Sequence, residues 1–144
     1  MLIAHVLREK GGLVHTISQD ATLEEAARAL NEKGVGALVI LDGGETPLGV
    51  LSERDIIRAV AKLGAASLDK RVGDVMSRGV ITMEPMDTVD DGLSRMTEKR
   101  VRHLPVVGDE GRLIGIVSIG DLVKMRIQEV ELEAASMQAY IATG

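Results

Sequence analysis

Apolar residues in this chain follow two rhythms, one at helical spacing and one in short unbroken runs, and the order of these rhythms occurs twice. Leu23, Ala26, Ala27 and Leu30 share one helical face, and Thr22 with Glu25 three residues later supplies a capping box. Gly34 ends that helix. Residues 37–41 and 48–51 are apolar runs separated by Asp42, Gly43 and Gly44, which predicts two strands joined by a turn. Ile56, Ile57 and Val60, with Leu63 at the end, predict a second helix. The same order then returns. Thr88 caps a helix carrying Val89, Leu93 and Met96; residues 104–107 and 113–117 predict strands; Leu122 and Val123 open a last helix.

The recurrence holds residue for residue. Thr16, Thr22, Glu32, Lys33, Val35, Leu38, Gly49, Ser52 and Asp55 reappear as Thr82, Thr88, Glu98, Lys99, Val101, Leu104, Gly115, Ser118 and Asp121, each 66 positions later. Upstream, Val6 and Leu7 match Val75 and Met76 at an offset of 69, which places a small insertion around Lys10, Gly11 and Gly12. Each copy reads as strand, helix, strand, strand, helix. A unit of about 60 residues is marginal alone, since small domains bury too little of their surface. Packing two copies sheet to sheet solves this. The fold class is therefore α/β (α+β): two pseudo-symmetric β-α-β-β-α repeats with an N-terminal helical segment and a long C-terminal helix. The expected divisions are 1–66 for the first repeat with the N-terminal segment, 67–130 for the second, and 131–144 for a C-terminal helical extension. Residues 64–67 read as the linker.

That extension has its own pattern. Val123, Ile127, Val130, Ala134, Met137 and Ile141 are spaced alternately four and three apart, a heptad-like stripe. It can pack on a second copy of the chain or fold back on its own module. Glu129, Glu131 and Glu133 read as a solvated face, and Lys124 and Arg126 as surface residues of the helix.

Composition narrows the chemistry. With 45% hydrophobic and 27% charged residues, the chain is of globular type. It has no cysteine, which excludes disulfides, zinc–thiolate sites and cysteine nucleophiles, and His5, His15 and His103 lack metal-ligand spacing. A net charge of -5 argues against nucleic acid, and with Tyr140 as the sole aromatic there is no base-stacking platform. Any planar base bound here is held between aliphatic side chains and backbone. The apolar start is broken by His5 and followed by Arg8, Glu9 and Lys10, unlike a signal peptide, and no run reaches the roughly 20 residues of a membrane span. The expected compartment is the cytoplasm.

The most specific pattern is the segment 49–55, GVLSERD, with its copy 115–121, GIVSIGD. In each, a strand ends at a serine, a helix begins, and an aspartate stands three residues on. One reading is helix capping, with serine as N-cap and aspartate favoured by the helix dipole. The paired pattern, a glycine before each strand's end, and the upstream Val14-His15-Thr16 and Val80-Ile81-Thr82 together resemble the CBS domain family across nearly the whole chain. That resemblance implies that Thr16, Ser52 and Asp55 hold one nucleoside and Thr82, Ser118 and Asp121 another. The aspartates would accept ribose hydroxyls, as an ionised carboxylate can. Residues 98–107, EKRVRHLPVV, place Arg102 and His103 before a strand, where related modules contact phosphate; the other reading is a solvated charge run. The first copy has Gly36 and Ala37 there, so the clefts are expected to differ, with one good phosphate site that Arg54 could complete.

The resemblance thus implies a non-catalytic sensor of an adenosyl nucleotide, AMP, ADP, ATP or NAD(H), with no metal required. It further implies a homodimer and a regulated protein on another chain. The alternative is a scaffold dimer with degenerate clefts. No nucleophile–base pair or phosphate-binding Gly-x-x-x-x-Gly-Lys loop occurs to suggest an enzyme.

Overall fold

The computed structural model describes residues 1–143. Six helices, α1 (Ile3–Lys10), α2 (Leu23–Lys33), α3 (Glu53–Leu63), α4 (Val72–Val75), α5 (Val89–Lys99) and α6 (Ile119–Thr143), alternate with two antiparallel hairpins. The hairpins pair β1 (Ala37–Leu41) with β2 (Pro47–Ser52), and β3 (His103–Val107) with β4 (Leu113–Ser118). Both keep one register, Leu38 opposite Leu51 and Leu104 opposite Val117, and both shift at the same place. The leading strand of each repeat is shorter than its pattern predicts. It shrinks to a single parallel bridge, Thr16 with Val39 and Met83 with Val106. In the first repeat the chain turns away at once, the Ala21 N–H bonding the Ser18 carbonyl. In the second, Pro85 follows and has no N–H to continue a ladder.

The caps form as the sequence predicts. Thr22 Oγ1 accepts from the Glu25 N–H at 3.2 Å, and Thr88 Oγ1 accepts from the Asp91 N–H at 3.0 Å. Gly34 closes α2 with φ 63°, but its counterpart closing α5 is Arg100, at φ 55°. A side chain in that left-handed region costs about 1 kcal/mol or more relative to glycine.

Leu38, Ile40 and Leu51 pack with α2 and α3 in a first core; Leu104, Val106 and Val117 pack with α5 and α6 in a second. Between these residues, Ala37, Val39, Pro105 and Val107 are buried outside either core. Alternation along a strand sends the two sets to opposite faces. Each hairpin is thus covered by its own helices on one face and by the other repeat on the other.

The segments preceding the repeats are exchanged. Ile3 and Val6 of α1 are buried in the second core, while Val72 of α4 and Met76 just after it are buried in the first. The offset of 69 acquires a physical meaning here. A Cβ on Gly115 would lie 2.6 Å from Leu7 Cδ2, and one on Gly49 would lie 2.6 Å from Met76 Sδ. The repeated glycines are the seats on which the matched side chains rest.

The linker is packed rather than free: Gly64–Asp69 form a 3-10 helix against α2 and α3, with Ser67 fully buried. Helix α6 spans 25 residues, about 37 Å, yet buries only Leu122 and Met125. The apolar stripe from Val123 to Ile141 is exposed along its length, and residue 144 of the expected extension lies outside the described residues. Glu129 departs from the solvated face predicted for it. Its Oε1 accepts from the Met1 amino group at 2.9 Å and its Oε2 from Arg126 at 3.0 Å, because α1 packs beside α6.

Candidate functional site

Ser52 ends β2 and caps α3, which fixes Asp55 at the first turn of the helix. Asp55 Oδ2 accepts from the Ser52 N–H at 2.8 Å and from the Ser52 hydroxyl at 3.1 Å. The capping reading is therefore met in its geometry. It does not exhaust the residue, because Asp55 also lines a cavity of about 500 Å³ between the two repeats. A cavity of that size is within the range of small-molecule sites.

The first repeat contributes Ser52, Glu53, Arg54, Asp55 and Arg58 to this cavity. Residues 77–81, crossing between the repeats, bring Arg78, Val80 and Ile81. From the second repeat come Arg100, Arg102, His103 and Pro105. Gly36 keeps the seam open: a Cβ there would lie 2.8 Å from Glu53 Oε1 and 3.1 Å from the His103 ring. Burial pushes the His103 pKa below its ordinary value, with the Lys10 charge adding to the effect. The basic pair predicted at 102–103 is thus one permanent cation and one neutral ring at pH 7.

The second copy of the motif is built alike and occupied from within. Asp121 Oδ2 accepts from the Ser118 N–H at 2.8 Å, but Lys10 Nζ also donates to it at 2.6 Å and to the Ile116 carbonyl at 2.9 Å. Burial pushes the Asp121 carboxyl up; the hydrogen bonds from Lys10 and Ser118 outweigh it and hold the pKa below the ordinary value. Lys10 can reach because α1 runs through eight residues where α4 stops after four.

Of the residues singled out from the sequence, Ser52, Arg54, Asp55, Arg102 and His103 converge on the cavity. Thr16 lies at the bridge to Val39, Thr82 lends its carbonyl to Arg95 at 2.8 Å, and Ser118 and Asp121 stand apart from the cavity, with Asp121 bonded to Lys10. Arg58, Arg78 and Arg100 line the cavity without having been singled out. Two of them carried a signal: Arg58 stands one turn beyond Arg54, and Arg100 replaces the helix-stopping Gly34 of the first copy. Among the described residues no three His, Cys, Asp or Glu side chains group as a metal site, and no helix is long and apolar enough to cross a membrane.

Comparison with known proteins gives two matches to the CBS domain, at residues 14–62 and 72–127. A crystal structure of a CBS-domain-containing protein from Agrobacterium tumefaciens is similar, with 40% identity and a TM-score of 0.83 over 88% of this chain and 99% of that one. The CBS domain pair of protein MJ0100, crystallised with 5'-methylthioadenosine and S-adenosyl-L-methionine, has 26% identity and a TM-score of 0.79 over 90% and 98%. CBSX2 in complex with AMP has 27% identity and a TM-score of 0.72 over 88% and 96%.

Proposed function

The chain belongs to the CBS domain family, and from that premise we propose that it is a cytoplasmic, non-catalytic regulatory module whose Asp55 cleft holds one adenosyl nucleotide. The observation that carries this reading is the convergence of Asp55 and several arginines on a cavity with walls from both repeats. The Asp55 carboxylate accepts the ribose hydroxyls, Ser52 sits beside it, and Val80, Ile81 and Pro105 offer the aliphatic walls that an adenine needs in a chain with one aromatic residue. Arg54 and Arg102 take the phosphate, since guanidinium pairs with phosphate oxygens in bidentate fashion. A ligand that touches both halves favours one arrangement of them over others, and a partner protein reads that shift. AMP, 5'-methylthioadenosine and S-adenosyl-L-methionine on the solved relatives support an adenosyl ligand.

The exposed apolar residues Ile57 and Leu63 on α3 and Val123, Ile127 and Val130 on α6 support a homodimer, because a two-fold interface covers one patch with itself. The same stripe favours the second reading, a scaffold whose surfaces matter more than its clefts. Titration calorimetry with adenine nucleotides, run beside sedimentation of the free protein, tests both. One nucleotide bound per chain is expected. A dimer showing no heat with AMP, ATP or NADH at millimolar concentration would leave the scaffold reading standing.

A further inference from the structure

Five arginines line the Asp55 cavity, Arg54, Arg58, Arg78, Arg100 and Arg102, against two acidic residues, Glu53 and Asp55. That leaves an excess of three positive charges on the wall of one cavity in a chain whose net charge is -5. Of the six arginines elsewhere, Arg28, Arg95, Arg112 and Arg126 each stand within 4.0 Å of a carboxylate, while Arg8 and Arg71 do not. Among the described residues none of the five cavity arginines does. Arg78 donates to the Gly73 carbonyl at 3.0 Å, which leaves its charge uncompensated.

Arg100 supplies an independent observation. It closes α5 at φ 55°, in the conformation that the first repeat gives to Gly34. Glycine takes this conformation without steric cost, whereas an arginine there strains the backbone. Strain at a position that lines a cavity points to a use for the side chain.

We propose that the cavity is built for an adenosine di- or triphosphate, in preference to a monophosphate, a dinucleotide or a sulfonium. This rests on the adenosyl-nucleotide reading above and adds the charge of the ligand to it. A single phosphate near neutral pH, like the paired phosphodiesters of a dinucleotide, carries about two negative charges, fewer than the excess on the wall. S-adenosyl-L-methionine, with a cationic sulfur, is repelled by the same arginines.

Calorimetry with adenosine, AMP, ADP, ATP, NADH and S-adenosyl-L-methionine, on the full chain and on Arg100→Gly, tests the proposal. ADP and ATP should bind at least tenfold tighter than AMP or NADH at low salt and lose that margin as salt screens the arginines. Arg100→Gly should weaken the anhydride ligands several-fold and leave adenosine unchanged, while melting no lower than wild type because glycine accepts φ 55°. Equal affinity for AMP, ADP and ATP, NADH or S-adenosyl-L-methionine as the tightest ligand, or an Arg100→Gly loss shared by adenosine would overturn it. In each of these cases the adenosyl reading survives. Binding by none of the six overturns both.

Discussion

Asp55 and Asp121 occupy matched positions in two repeats, each following a capping serine, and each accepts that serine's N–H at 2.8 Å. One faces a cavity lined by arginines; the other holds the ammonium group of Lys10. The recurrent motif therefore marks what both halves need, a well-started helix. What each aspartate can bind is decided by the segment lying opposite, and there the halves differ: α4 is short and leads to Arg78 and Gly79, while α1 is long enough to deliver Lys10.

The largest expected consequence is in ligand affinity. Asp55→Asn keeps an oxygen to accept from Ser52 but loses the charge-assisted bonds to ribose, which should cost roughly 1.5–3 kcal/mol, or about ten- to a hundredfold in Kd. Asp121→Asn should leave nucleotide affinity at the wild-type value. Calorimetry on the two variants checks this, and equal losses would erase the distinction between the clefts.

Lys10→Met addresses the closed cleft directly. Loss of the Lys10–Asp121 pair, whose side chains are 31% and 25% exposed, should lower stability by about 1 kcal/mol at pH 7 and raise the stoichiometry from one nucleotide per chain to two. The sign with pH follows from Asp121, whose folded pKa is depressed: its contribution is present above the ordinary aspartate value of 3.8 and fades as pH falls through the folded value. Urea unfolding at pH 7 and pH 3 should show the difference between variant and wild type shrinking in acid. A stoichiometry fixed at one would mean that Lys10 is not what closes the second cleft.

The smallest effect concerns His103, which lines the cavity and feels the charges of Lys10, Glu53, Asp121 and Arg102. Its folded pKa lies below the ordinary 6.5, so at lower pH the unfolded chain takes up a proton first and the folded state loses stability. Wild type should weaken between pH 7.5 and 5.5 by no more than about 1.4 kcal/mol per pH unit, the limit for one proton. His103→Gln should weaken less over that range in chemical unfolding. Parallel pH profiles would remove His103 as a titrating group.

Most of the fold was legible because its signals are local. Thr22 and Glu25 are three residues apart, as are Ser52 and Asp55, so a cap can be read from neighbours, and the 66-residue repeat lets each copy check the other. The cavity was legible in part, through Ser52, Arg54, Asp55, Arg102 and His103. What lay beyond reach depends on distant partners. Nothing near Lys10 in the chain tells that it meets Asp121, and nothing near Leu7 tells that it rests on Gly115. The Gly34–Arg100 substitution was visible; its meaning needed the cavity beside it.

The exchanged segments also set an order of events during synthesis. The first core needs Val72 and Met76, which leave the ribosome soon after the first repeat. The second core needs Ile3 and Val6, made before either repeat, and Lys10 waits for a residue 111 positions later. At about 5–20 residues per second, that interval is on the order of ten seconds. Throughout it the apolar side of α1 lacks the core that later covers it.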